Sequence, residues 1–347
     1  MRVTVHEVAK LAGVSAMTVS RVVNRAAYVS PATRQRVEAA IAELGYVPNG
    51  LARAMTSRKT GALSVVVPDV TNPFFTHVLH GAEKTARQAG YRVTICSSEA
   101  DEELERQYLS DIISNQADGV IIAPVGDSSR ARLQVLRRNN VPFVLVDRSV
   151  AGLECDLVQG DSVGGARTLV SHLTSLGHRR IAMISEDEGV STARDRQRGY
   201  EDALHDVGVQ ADPKLFVRAT VTEDFEGGAR AMRQLLTLKE RPTAVFVVNN
   251  MAAVGAIRAI REGGLEVPGD IAVVAFDDVA HAAVLSPFLT VMAQPADMFG
   301  MLAVQLLLER ITGRDEARRR IVVLPGDLIV RASSGTRVNT KESRRRR

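Results

Sequence analysis

The 347-residue chain holds only two cysteines, Cys96 and Cys155. Neither belongs to a Cys-x-x-Cys pair or has a histidine at ligand spacing, which argues against a disulfide framework and against a zinc site. Both are expected to be ordinary buried thiols. Long apolar runs are missing as well: Gly119 to Val125 is among the longest and covers seven residues, against about 20 for a membrane-spanning helix. The opening MRVTVHEVAK puts charges where a secretory signal needs an apolar segment, so a cytoplasmic protein with no membrane partner is expected. No HExxH motif, no P-loop and no glycine-rich dinucleotide turn after the first strand is present. No nucleophile motif is expected and no cofactor is implied.

What is present is unevenly charged. The formal charge of +4 averages over 44 basic and 40 acidic side chains. Residues 1–60 carry nine Lys/Arg against three Glu, residues 337–347 carry six basic groups against one Glu, and the segment between is net acidic. A small basic head on a large acidic body suits a nucleic-acid-binding module joined to a separate domain, because phosphate neutralisation dominates such affinity. A merely solvated basic surface would give the same count. The terminal Arg344 to Arg347 run is expected to form a disordered tail, with at most nonspecific DNA contact.

Thr4-Val5-His6-Glu7 has the spacing of a capping box ahead of the apolar Val8 and Leu11, and Gly13 is placed to stop the helix it starts. Ser15 can cap a second helix running to Val23. Ser30-Pro31 supplies a cap and an N1 proline for a third, with Val37, Ala40, Ile41 and Leu44 on one face and Gly45 as its stop. This is a helix-turn-helix within a three-helix head. In its second helix Val19, Val22 and Val23 face inward, and Ala16, Met17, Ser20 and Arg21 fall on the outer side, free to enter a major groove. Arg21 has the fork suited to guanine O6/N7, and Ala16 and Met17 suit a thymine methyl; Arg21 could equally be a phosphate contact.

The segments VTVHEVAKLAGVSAMTVSRVVN and VSPATRQRVEAAIAELGYVPN resemble the headpiece of the lactose-repressor (LacI/GalR) family over some fifty residues. The resemblance puts Ala16, Met17, Ser20 and Arg21 at base-reading positions, and to the same DNA-contacting set it assigns Thr4, Ser15, Thr18, Asn24, Tyr46 and Ala52. It further implies that Pro48 to Ser57 is a hinge that becomes helical on DNA and pairs with its dimer mate in the minor groove. Met55 stands where the family usually has a leucine wedge; it is a softer wedge, or a hinge-to-hinge packing contact. The hinge sequence begins with Gly50 and ends in Thr-Ser-Arg-Lys-Thr-Gly, so alone it should be a marginal helix.

From Leu63 short apolar runs alternate with amphipathic stretches: LSVVVPD, Val78–Ala89, YRVTICS, Glu103–Ser114, GVIIAPV, Ser129–Asn139, PFVLVD. A second series runs from RRIAMIS through Arg196–Val207, Lys214–Ala219, Phe225–Leu238, AVFVVNN, Ala252–Glu262 and IAVVAFDD. This predicts an α/β body of two doubly wound parallel-sheet lobes, one after the other. Ligands in such sheets sit beyond the strands' carboxyl ends, which directs attention to Asp69–Phe75, Asp147-Arg148, Ser185–Arg196, Asn249-Asn250 and Asp277-Asp278. Carboxylates, amides, arginines and aromatics there suit a sugar or polyol.

The body resembles the periplasmic sugar-binding-protein fold that the same family carries, through PDVTNPFF, LVDRS, HLTSLGHRRIAMI, ARDRQRGY, NNMAAVGAIRAI, AFDD, PFLTVMAQP and LIVRASSG. That resemblance puts Asn72, Phe74, Phe75, Asp147, Arg148, Asp161, Arg196, Asn249, Asp277 and Gln294 at an effector, with Arg194 as an alternative to Arg196; Asp147 and Asp277 could instead merely cap turns. Glu223 aligns with a stacking aromatic and turns the expectation away from a purine, and Asn249-Asn250 replaces a common Asn-Asp. The expected organisation is a headpiece (1–47), a hinge (48–61), an effector-binding and dimerisation body (62–336) and a basic tail (337–347). The expected function is a homodimeric repressor on a pseudopalindromic double-stranded operator, controlled by a sugar, polyol or sugar acid. A solute-binding protein would explain the body but not the head.

Overall fold

The structure, a computed structural model, describes residues 3–23, 28–47, 60–219, 224–279, 286–313 and 319–336. Asn24, Ala52, Met55, Glu223, most of the expected hinge and the basic tail lie outside the described residues. After Thr60 the chain divides into two compact units.

The first unit contains α1 (Val5–Ala12), α2 (Ala16–Val23) and α3 (Pro31–Leu44). The capping box forms: the Thr4 hydroxyl accepts from the Glu7 amide, and Glu7 Oε2 accepts from the Thr4 amide at 2.7 Å. Gly13 and Gly45 close α1 and α3 with φ of +63° and +61°, a backbone region that costs glycine little. Val8, Ala9, Ala12, Val19, Val22, Val37 and Ala40 form the small core, with Val23, Ile41, Leu44 and Tyr46 packed against it. Leu11, grouped above with the apolar side of α1, is instead 46% exposed.

The second unit carries two six-stranded sheets, each with helices on both faces. Lobe 1 contains β1 (Ala62–Val67), α4 (Pro73–Gln88), β2 (Arg92–Ser97), α5 (Glu102–Ser114), β3 (Gly119–Ile122), α6 (Arg130–Arg138), β4 (Phe143–Val146) and β5 (Asp156–Gly160). Lobe 2 contains α7 (Ser162–Ser175), β6 (Ile181–Ser185), α8 (Ser191–His205), β7 (Phe216–Arg218), α9 (Asp224–Leu236), β8 (Ala244–Val247), α10 (Asn250–Glu262), β9 (Ala272–Phe276) and β10 (Thr290–Ala293). The chain then returns: α11 (Ala296–Ile311) and β11 (Ile321–Leu324) join lobe 1, and β12 (Asp327–Ile329) closes lobe 2. The strand orders are β11-β5-β4-β3-β1-β2 and β12-β10-β9-β8-β6-β7. The lobes therefore do not simply follow one another, and three crossings connect them, at Gly160-Asp161, Ala293–Pro295 and Leu324–Gly326. All pairings are parallel except that of β12, which runs antiparallel to β10. Fully buried strands such as β3, β4, β8 and β9 explain the unbroken Val/Ile/Ala runs of the sequence.

Glycines set how closely the flanking helices approach. A Cβ on Gly81 of α4 would stand 2.0 Å from the Asp297 carbonyl oxygen, and one on Gly300 of α11 would stand 1.9 Å from that of Val78. Lobe 2 repeats the device between α9 and α10, where a Cβ on Gly228 would meet the Ala252 oxygen at 2.1 Å and one on Gly255 the Phe225 oxygen at 1.9 Å. Backbone therefore lies against backbone, without intervening side chains. Replacing Gly300 by Ala forces α11 off α4, and we expect a loss of about 1–3 kcal/mol in urea unfolding, the usual cost of overpacking. An unchanged midpoint would show that the two helices part freely.

Candidate functional site

In the head, α2 starts under the Ser15 side chain, which accepts from the Thr18 amide at 3.1 Å, and the Ser15 and Thr18 hydroxyls lie 2.9 Å apart. Thr4 is likewise engaged with Glu7, so three members of the expected DNA-contacting set already hold helix starts in place. Met17 is 65% exposed and Arg21 is exposed one turn further on. Ser20 is half-buried, and Ala16 departs from the expected outward position by packing on the core. Tyr46 also rests against that core, its amide donating to the Ile41 carbonyl. The outer face of α2 is thus led by Met17 and Arg21.

In the second unit a cavity of about 350 Å³ opens between the lobes, beyond the carboxyl ends of the strands. Lobe 1 supplies Asn72, Phe74, Phe75, Asp147 and Arg148; lobe 2 supplies Arg196, Asn249 and Asp277. Asp147 follows β4 and Asp277 follows β9. Each lies in the left-handed region, at φ of +66° and +64°, and each amide donates to the neighbouring strand, to Val158 O at 2.8 Å and to Met292 O at 2.9 Å. A non-glycine residue held there costs free energy, and the matched pair aims both carboxylates into the cavity from opposite lobes.

The buried arginines are already occupied. The Arg196 guanidinium lies over the Phe276 ring, 4.0 Å from its centroid, and donates to Val248 O. Arg148 reaches the Pro124 and Val125 carbonyls, and lies 3.6 Å from Asp147 and 3.6 Å from Glu186 across the cleft. Asn72 caps α4 by accepting from the Phe74 amide at 3.0 Å. Asn249 caps α10 and donates to Glu186 Oε1 at 2.7 Å. Burial pushes the Asp277 carboxyl up to about 6; Asp147 and Glu186 push the same way, and Arg196 and the Gln294 hydrogen bond oppose them. Burial likewise raises Asp147, against the pull of Arg148 and Arg196.

Three expected effector residues stand elsewhere. Asp161 is exposed and caps α7, accepting from the Gly164 amide at 2.8 Å. Arg194 pairs with Asp127 of lobe 1 at 2.8 Å, so Arg196 is the arginine that lines the cavity. Gln294 sits behind Asp277, to which its Nε2 donates at 2.8 Å, and it positions that carboxylate without lining the cavity. Asn250 also turns away, its amide donating to Asp278 O at 3.3 Å, and Asp278 is held by Arg331 at 2.6 Å. Glu186 and Thr192, within the Ser185–Arg196 segment, also line the cavity, Glu186 directly following β6 by the same strand-end rule as Asp147. Ser97, Glu99 and Ala100, at and just after the end of β2, line it too and lie outside the segments singled out from the sequence.

One pattern runs against the expectation that no nucleophile motif occurs. Gly160-Asp161-Ser162-Val163-Gly164 fits G-x-S-x-G between a strand and a helix. Ser162 is buried at the start of α7 and does not line the cavity. The nearest histidines in sequence are bound elsewhere: His172 to Ser334 and His178 to Thr243, each at 3.0 Å. The motif here serves the crossing between lobes.

Residues 4–49 match the bacterial regulatory proteins of the lacI family, and residues 170–334 match a periplasmic binding protein-like domain. The ribose operon repressor of Escherichia coli K12 is 36% identical over 324 residues, spanning 93% of this chain and 97% of the relative. This chain belongs to the LacI family. Among solved structures, the lac repressor dimer bound to operator and the anti-inducer ONPF is 30% identical with a TM-score of 0.83, covering 96% of this chain and 99% of that one. A complex of the transcriptional regulator CelR with cellobiose is 32% identical with a TM-score of 0.72, covering 96% and 100%. The protein is therefore a transcriptional regulator and not a free-standing solute-binding protein.

The strand-end carboxylates make the stability of this LacI-family body depend on pH. The folded-state pKa of Asp277 exceeds its ordinary 3.8, so the native state holds the proton more tightly and this contribution falls as pH rises from near 4 to about 6. Asp277→Asn removes the penalty. The unliganded variant should exceed the parent by about 3 kcal/mol at pH 7.5 and lose most of that advantage at pH 4, read by urea unfolding at both pH values.

Proposed function

We propose that this chain is a sequence-specific DNA-binding repressor whose operator affinity is set by a small sugar, polyol or sugar acid bound between its two lobes. The observation that carries the reading is the cavity lined from both lobes by buried carboxylates and arginines, in a chain that also bears a helix-turn-helix with an exposed Met17-Arg21 face. Carboxylates and guanidiniums chelate neighbouring hydroxyls, and Phe74 and Phe75 offer an apolar wall. The proposed division is a headpiece over 1–47, a hinge over 48–61 that includes Ala52 and Met55, an effector-binding and dimerisation body over 62–336, and a basic tail over 337–347. The protein acts in the cytoplasm as a homodimer, each head taking one half-site of a pseudopalindrome. It performs no catalysis and needs no cofactor.

In this reading Met17 and Arg21 read bases, while Ser15, Thr18 and Thr4 orient the helices and place backbone amides near phosphate. Arg196, Arg148, Asp147, Asp277, Asn72 and Asn249 contact the effector, and Gln294 fixes Asp277. The effector shifts the operator equilibrium by binding one arrangement of the lobes more tightly than the other.

The first test is a thermal-shift panel of sugars, polyols, sugar acids and nucleosides, since a ligand at 100 times its Kd adds about 2.7 kcal/mol. A sugar-like hit whose shift disappears in Arg196→Ala, with operator binding retained, supports the reading; a response to nucleosides alone overturns the sugar class. For the head, Arg21→Ala should weaken operator binding by about 1–3 kcal/mol and leave binding to scrambled DNA almost unchanged in a fluorescence-anisotropy titration. Equal losses on both DNAs would make Arg21 a phosphate contact.

A further inference from the structure

The charge of the cavity is not balanced. Three carboxylates, those of Asp147, Glu186 and Asp277, are at least nine-tenths buried there, against two equally buried guanidiniums, those of Arg148 and Arg196. Asp69 and Glu99 add two more acids at the less buried wall, and no lysine or histidine is among the lining residues. The guanidiniums are in part spent on the protein itself, on Val248 O, on the Phe276 ring, and on the Pro124 and Val125 carbonyls. Glu186 is answered by Asn249 and Asp277 by Gln294. The Asp147 carboxylate is 6% exposed and faces the cavity, and the nearest cation, Arg148 Nε, stands 3.6 Å away, beyond hydrogen-bond reach.

A buried excess of one negative charge must be matched by a proton or by a cation brought with the ligand. We propose that the effector is a monocation, an amino sugar or amine-bearing polyol whose ammonium donates to Asp147 and offsets the Asp147–Glu186–Asp277 excess, while Arg148 and Arg196 take its hydroxyl oxygens. This rests on the sugar-effector reading above and narrows it. A sugar acid or phosphorylated sugar would add a second uncompensated negative charge and is disfavoured, and a neutral sugar leaves the imbalance in place. Burial raises the proton affinities of Asp277 and Asp147 in the unliganded protein, the direction that an unmatched buried negative charge imposes.

The test is isothermal titration calorimetry of the full-length protein at pH 7.5 with matched series: glucosamine, glucose and glucuronate; galactosamine, galactose and galacturonate; mannosamine and mannose; and adenosine as a nucleoside control. We expect at least one amine to bind at least tenfold more tightly than its neutral and acidic counterparts. That advantage should fall below threefold in Glu186→Gln and in Asp147→Asn, whose folding is checked by circular dichroism. A neutral or acidic member binding as tightly as its amine, or no amine binding at millimolar concentration, overturns the proposal. Neutral-sugar binding would do so while leaving the sugar-effector reading intact, whereas binding of adenosine alone would remove both.

Discussion

The cleft depends on two aspartates held where an L-residue is uncomfortable. Asp147 and Asp277 both sit at φ near +65° at equivalent strand ends, a conformation that costs on the order of 1–3 kcal/mol per residue and persists only where the surroundings fix it. The surroundings do so in the same way twice. Each amide is drawn sideways to the next strand, Asp147 to β5 and Asp277 to β10, so each lobe's sheet order dictates its own carboxylate's aim. The last strand of each lobe before a crossing thus both orients an aspartate and carries the chain across. Asp277 is further held by Gln294, which itself lies in a crossing, so lobe connection and carboxylate placement share residues.

Tight helix crossings make this precision affordable in a body of short strands. The paired glycines of α4 with α11, and of α9 with α10, bring backbones into direct contact, so the layers covering the sheets have little room to shift. Lobe 1 is completed by a helix and a strand that arrive after lobe 2 is built, α11 and β11, and their return locks Asp156 between Arg310 and Arg320 at 2.9 and 3.1 Å. Those ion pairs and the hydrogen bonds with them hold the Asp156 carboxyl below its ordinary range despite the burial that would raise it. Removing one partner would strand a buried charge, and such losses are usually severe.

Much of this was legible in the sequence, for identifiable reasons. Capping chemistry is local, so Thr4, Ser15, Ser30-Pro31 and the stop glycines fixed the head helices to within a residue. Parallel strands buried on both faces advertise themselves as apolar runs, and the polar residue after each run pointed to Asp147, Asn249 and Asp277. What escaped was non-local. Strand β5 reads Asp-Leu-Val-Gln-Gly and looks like a loop, because its buried Asp156 is neutralised by arginines more than 150 positions away. Helix α4 begins five residues earlier than its apolar periodicity suggests, because the Asn72-Pro73 cap and N1 proline start it ahead of the first periodic apolar residue. No periodicity could reveal that the chain returns to lobe 1, or that Asp161 and Arg194 would be diverted to a helix cap and an interlobe pair.

The interlobe contacts show how ligand charge could be converted into lobe position. Asp127 donates its amide to Gly189 O at 3.0 Å and pairs with Arg194, and the Ser149 amide donates to the Ser191 hydroxyl at 2.9 Å. A Cβ on Gly126 would stand 2.9 Å from Gly189 O, so this approach leaves no space for a larger residue. These contacts favour apposed lobes whatever the cleft contains. The carboxylates act in the opposite sense, because Asp147 of lobe 1 raises the proton affinity of Asp277 in lobe 2, a repulsion that grows as the lobes approach. A ligand that compensates those carboxylates removes a term present mainly in the closed arrangement, so its binding energy differs between the two states by construction. That difference, and not affinity as such, is what can move a two-state equilibrium.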